Sequence, residues 1–144
     1  MPATEQAVAL ALAAADAADD VRATDLAILD VADLLGLVDV FLLATAGSDR
    51  QLKATADRIE ERLRTQERRP ERREGSAEAG WLLLDYGELV CHLFSAEQRD
   101  FYGLDRLWAD VPRWDPATGR SLAPAVAVPR DAGPGPSGAR QEPS

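Results

Sequence analysis

The chain has 144 residues and a mass of 15.5 kDa, room for one domain of ordinary size. It carries 16 Lys and Arg against 25 Asp and Glu, a net charge of −9, which argues against a protein whose main work is coating a phosphate backbone. One cysteine, Cys91, and one histidine, His92, allow no internal disulfide and fall short of a four-ligand zinc site.

Thr4 is placed to cap a helix running to about Asp19, with Val8, Leu12 and Ala15 predicted on one face. Asp25–Val31 is a short apolar run bounded by acids and reads as a strand buried on both faces. Val38–Ala46 repeats that pattern and is closed by Gly47. Ser48-Asp49-Arg50-Gln51 then has the form of a capping box. The helix it opens turns Leu52, Thr55, Ile59 and Leu63 inward and most basic residues outward, and it ends before Pro70. A charged edge strand is predicted around Glu71–Glu74. Trp81–Asp85, Tyr86-Gly87 and Glu88–Phe94 read as a tight hairpin. Ser95-Ala96-Glu97-Gln98 is a second capping box, and the helix behind it is predicted to turn Phe101, Leu104 and Trp108 inward until Pro112 stops it. The order α-β-β-α-β-β-β-α gives an α/β fold, a mixed β-sheet flanked by helices, over residues 1–115. From Pro116 to Ser144 the chain holds six of its nine prolines and four of its ten glycines. That stretch is expected to be a disordered Pro/Gly-rich tail, because it has too little apolar surface to offset its ordering entropy.

Charge is uneven along the chain. Residues 1–49 hold nine acids and one base, residues 50–73 nine bases and five acids, and residues 74–115 nine acids and three bases. Acidic surface around one basic helix serves solubility, and it also suits docking of a basic partner. The longest apolar run, Ala7–Ala15, has nine residues, against roughly 20 for a bilayer span. Glu5 and the lack of early Lys or Arg are unlike a secretory signal or a transit peptide, so a cytoplasmic protein is expected.

Signals for catalysis are thin. His92 shares a strand face with Val90 and Phe94 and has no Ser or Cys nucleophile signature near it. Cys91 alternates with Leu89 and Leu93 and reads as an inert buried thiol. Gly47-Ser48 at a helix start suggests a metal-dependent nucleotidyltransferase, but such an enzyme needs alternating carboxylates on the next strand to hold its metal ions. The segment Arg69–Glu74 offers instead carboxylates three residues apart, broken by two arginines. A ribosomal RNA-binding module using Arg50, Lys53, Arg58, Arg62 and Arg64 is the other alternative. In Trp81–Tyr86 one alternating face holds Trp81, Leu83 and Asp85, the other Leu82, Leu84 and Tyr86. Both faces are apolar, which fits either a fully covered strand or a recognition strip with a Trp anchor ringed by Asp85 and Glu88.

Taken together, Asp30-Val31, Asp39-Val40-Phe41, Ala44–Ser48 with Arg50-Gln51, Glu74-Gly75, Trp81–Glu88, His92-Leu93-Phe94 and Phe101–Trp108 resemble the ribosomal silencing factor family (RsfS, also called Iojap or YbeB). The resemblance covers about residues 4–111 in matching order and spacing. It departs at Val38-Asp39-Val40-Phe41, where the family usually has Ser/Thr-Asp-Tyr-Phe. It implies a nucleotidyltransferase-like fold without catalytic carboxylates, no cofactor and no enzymatic activity. It also implies binding to the large ribosomal subunit through ribosomal protein uL14, where bound bulk keeps the small subunit away and lowers translation when nutrients are short. The contact surface implied is Trp81, Leu83, Asp85 and their neighbours on the hairpin, Tyr86, Glu88 and His92. A homodimer and a contact with ribosomal RNA are further partners the resemblance and the basic helix suggest.

Overall fold

Helix α1 (Glu5–Asp20) begins where Thr4, in extended backbone, accepts a hydrogen bond from the Ala7 amide at 3.1 Å. The structure is a computed structural model, and it describes residues 3–124. The face α1 buries is made of Ala7, Leu10, Ala11, Ala14, Ala15, Ala17 and Ala18. Val8 and Leu12, predicted to lead that face, lie partly buried on its flank near Trp114. Small side chains win the centre because they let α1 approach both the sheet and its neighbouring helix closely. Two acids tie down the entry to α1. Asp30 accepts from the Ala3 amide at 3.2 Å, and Asp39 from the Thr4 amide and hydroxyl, each at 3.3 Å.

Strands β1 (Thr24–Asp30) and β2 (Val40–Ala46) flank a short helix, α2 (Ala32–Leu35), that the apolar pattern did not announce. Helix α3 (Asp49–Arg64) buries Leu52, Thr55, Ala56, Ile59 and Leu63 beside α1. Its cap differs in one bond from a reciprocal box. Ser48 accepts from the Gln51 amide at 3.1 Å, but the Gln51 side chain accepts from Gly47 and donates to the carbonyls of Val21 and Arg22. Gln51 thereby links the start of α3 to the turn after α1.

Then come β3 (Arg72–Ser76), β4 (Trp81–Asp85) and β5 (Leu89–Ser95). The seven-stranded sheet has the order β3-β4-β5-β2-β1-β6-β7, with β6 at Arg113–Trp114 and β7 at Ser121–Leu122. Only β2 and β5 run parallel, from Val40 opposite Leu89 to Ala46 opposite Ser95. β2 is buried along its whole length, as a central strand covered on both faces must be. One sheet face, with Ile28, Leu42, Leu84, Tyr86, Cys91 and Leu93, packs under α1 and α3. The other carries Leu29, Phe41, Leu43, Val90 and Phe94.

The last helical segment is two pieces. Helix α4 (Ala96–Tyr102), capped by Ser95, stops at Gly103, and α5 (Leu104–Leu107) follows. Gly103 has φ +64°, a left-handed conformation that glycine takes without strain. The break rotates the second piece, so Leu104 and Trp108 pack inward as predicted while Phe101 is 74% exposed. The expected tail from 116 meets described structure as far as residue 124. There β7 pairs with β6, Arg113 opposite Leu122, around a turn in which Asp115 accepts from the Ala117 amide. The rest of the expected tail, 125–144, lies outside the described residues.

Candidate functional site

The register of β4 on β5 sets Trp81 opposite Phe94, Leu83 opposite His92 and Asp85 opposite Val90, all on the face away from α1 and α3. Helices α4 and α5 cover only part of that face. Beneath and beside them lies an aromatic cluster in which Phe41, His92 and Phe94 are buried and Trp81 and Tyr102 reach the surface. Trp81 lies 5.9 Å from His92 and 5.5 Å from Phe94, both stacked, and 4.4 Å from Tyr102 of α4. Phe41 meets His92 edge-on at 4.6 Å and Trp108 at 5.8 Å. Trp81 and Leu83 are half-buried, and with Glu74, Gly75, Ala79 and Tyr102 they line a cavity of about 260 Å³. Gly75, at φ +88°, lets β3 lie this close to β4, since a Cβ there would stand 2.1 Å from the Trp81 carbonyl oxygen.

Buried polar atoms in this cluster lack partners. The Trp81 Nε1–H and both nitrogens of His92 are shut off from solvent with no hydrogen bond among the described residues. Burial lowers the His92 pKa to about 4, so the imidazole is neutral. Cys91 points to the opposite face, fully buried, and burial raises its thiol pKa; it is the inert thiol expected.

Three of the residues that the resemblance implies as contacts are buried or engaged within the fold. Tyr86 does not share the face: it is 1% exposed beneath α3, and desolvation raises its phenol pKa. Asp85 accepts from Arg72 at 3.0 Å and from the Gly87 amide at 2.8 Å. Glu88 is gripped by Arg68 at 2.9 and 2.8 Å, and that hydrogen-bonded pair holds its carboxyl below the usual range. Both acids are occupied in shaping the hairpin rather than left as a free acidic rim. Two further aromatics stand beside this face, Tyr102 lining the cavity and Phe101 exposed next to it with ring centroids 5.2 Å apart. The glycine directly after them was the available signal, since it ends the helix and frees their side chains from its inner stripe.

The basic helix is similarly occupied. Arg62 bonds Asp16 at 2.7 Å and Asp20, Arg58 bonds Asp20 at 3.0 Å, and Lys53 bonds Asp57 at 2.8 Å. Arg50 and Arg64 are exposed and have no ion-pair partner among the described residues. No group of three His, Cys, Asp or Glu among the described residues is arranged to hold a metal ion.

Fold and surface thus define an α/β domain whose β4–β5 face carries a half-buried Trp81 and Leu83 and an exposed Tyr102 beside a cavity. Residues 4–135 match the family described as "Ribosomal silencing factor during starvation", and the chain belongs to that family. The ribosomal silencing factor RsfS of Bacillus subtilis is 37% identical over 71% of this chain and 86% of its own length. That of Treponema pallidum is 38% identical over 69% and 90%, and chloroplast Iojap of Arabidopsis thaliana is 32% identical over 74% of this chain and 44% of its own. A crystal structure of a Chromobacterium violaceum protein superposes with a TM-score of 0.67 at 30% identity, covering 69% of this chain and 83% of that one. Another, from Bacillus halodurans, gives 0.62 at 30% identity, covering 73% and 95%.

Proposed function

We propose that this chain represses translation by occupation alone, with no reaction catalysed. Its β4–β5 face docks in the cytoplasm on the large ribosomal subunit through ribosomal protein uL14. There its bulk keeps the small subunit from joining when nutrients are limiting or in stationary phase. The observation that carries the reading is the half-covered Trp81–Leu83–Tyr102 surface around its cavity. Aromatic anchors beside a pocket, in a patch of roughly 800 Å² per partner, are what specific protein interfaces use. A net charge of −9 favours encounter with a basic ribosomal protein. A homodimer formed on the same face would compete with docking.

The test is sedimentation of tagged protein with purified large subunits. Trp81→Ala and Leu83→Ala are expected to weaken binding by about 1–3 kcal/mol each while the variants stay folded. Parent-level co-sedimentation of both variants would overturn this placement of the interface. Recovery of the parent on small subunits alone would overturn the function.

A further inference from the structure

The carboxyl ends of β2 and β5 are a point of reversal in the sheet. These parallel neighbours send their helices to opposite faces, α3 to lie beside α1 and α4 to lie over Trp81 and Phe94. Open sheets bind ligands in the crevice such a reversal leaves. Here the crevice is a cleft of about 480 Å³ that shares no lining residue with the Trp81–Leu83 cavity, and its lining includes Asp25, Thr45, Arg99, Asp105, Arg106 and Arg113.

The three guanidinium groups are in different states. Arg99 is fully engaged: it donates to both Asp105 oxygens at 2.9 and 2.8 Å, to the Thr45 hydroxyl at 3.0 Å and to the Asp25 carbonyl. Arg106 stands at the mouth, 70% exposed, donating to the Asp100 carbonyl and 3.6 Å from the Asp100 carboxylate. Arg113 is half-buried and makes no side-chain hydrogen bond or ion pair among the described residues, and its Nε–H is closed off from solvent with no acceptor. A buried donor left unmade costs free energy. Arg58 Nε is likewise unmet, but Arg58 meets Asp20 and Glu61 through its terminal nitrogens, whereas Arg113 has no such carboxylate among the described residues. Asp105 is near enough to feel the Arg113 charge, but Arg99 already holds both its oxygens, and Asp105 makes no hydrogen bond to Arg113. Strand β1 is distorted at the same place: its register shifts between Thr24 and Ala27, and Asp25 has φ +52°. Bulges and left-handed non-glycine residues gather at functional sites.

We propose that this cleft binds a small phosphorylated molecule of nucleotide size, its phosphate held by Arg113 and Arg106. Two guanidinium forks match phosphate oxygens in geometry and charge. The cleft is larger than a bare phosphate fills and lies within the usual range for organic ligands, with Leu26, Ala27 and Ala96 as the apolar wall. The site is independent of the docking face, so each stands or falls by its own test.

Isothermal titration of the full chain with AMP, ATP, glucose 6-phosphate and inorganic phosphate, at constant ionic strength, tests it. At least one organophosphate is expected to bind with a submillimolar Kd, and inorganic phosphate about tenfold more weakly. Arg106→Gln, at an exposed position that leaves the fold alone, is expected to weaken binding about tenfold, Arg113→Gln more, and Trp81→Ala not at all. Amide shifts in NMR spectra should centre on Thr45, Ala96 and Asp105. The proposal is overturned if no organophosphate binds below millimolar concentration, if inorganic phosphate binds as well as they do, or if both arginine variants bind normally. Shifts confined to the basic helix α3 would overturn it too.

Discussion

Enclosed by Trp81, Phe41 and Phe94, the His92 side chain is 7% exposed and unpartnered at both nitrogens. Burial lowers its pKa from 6.5 to about 4, so between those values the unfolded chain binds a proton that the folded chain refuses. Stability from this group is therefore constant above about pH 6.5 and falls as pH drops toward 4, by about 3 kcal/mol across the window. Urea unfolding at a series of pH values should show that loss in the parent and not in His92→Phe, which fills the aromatic cluster without a titratable group. Carboxylates that titrate in the same range are common to both proteins, so the difference between the two curves isolates the imidazole. Parallel curves would mean that His92 reaches water or a partner. Asp85 and Glu88 differ from His92 in kind. Reversing either charge breaks a bond that shapes the β4–β5 turn, so a lowered affinity in such variants reports a damaged hairpin as much as a lost partner contact.

Helices α4 and α5 deliver Tyr102 to Trp81, yet each is too short to be stable alone. Arg99 holds them. Its bond to Asp105 spans the Gly103 break, and its bonds to Thr45 and the Asp25 carbonyl fasten α4 to β2 and β1. Arg99→Gln is expected to cost about 2 kcal/mol of stability, within the range for hydrogen bonds to charged groups, and to speed amide exchange over residues 96–107. Arg106→Gln, exposed and loosely paired, is expected to change stability by less than about 0.5 kcal/mol. Equal effects of the two would show that the anchor is elsewhere. This region also shows where reading the sequence fails. β2 and β5 were legible because strands covered on both faces are unbroken apolar runs, and the caps at Ser48 and Ser95 because a hydroxyl three residues before an amide is a local signal. The inner face of α1 was misread because alanine barely registers in a hydrophobic pattern. The partners of Arg58 and Arg62 were invisible because Asp20 and Asp16 lie 38 and 46 residues away, and only the packing of α1 on α3 joins them. Of the aromatic cluster, the shared face of Trp81, Leu83 and His92 followed from alternation along one hairpin, while Tyr102 needed a contact between elements.

At the scale of the molecule, seven strands spaced about 4.8 Å apart make a sheet roughly 30 Å wide, with helices on both sides. The steric silencing proposed above requires a body of that size on one ribosomal subunit to act through its occupancy alone. The half-maximal concentration for blocking subunit joining should then equal that for binding large subunits. At about 100 times the dissociation constant, roughly 99% of subunits are occupied, and joining should fall by the same share. Trp81→Ala should move both curves to higher concentration by one common factor, because it weakens docking and leaves the bulk of the body intact. Raising salt should move them together too, chiefly through a slower association rate, since the chain carries a net charge of −9 and the proposed partner is basic. Light scattering for joining and sedimentation for binding, on the same samples, supply the two curves. A variant that still fills the subunits yet lets them join would show that silencing needs a further event beyond the presence of the folded body.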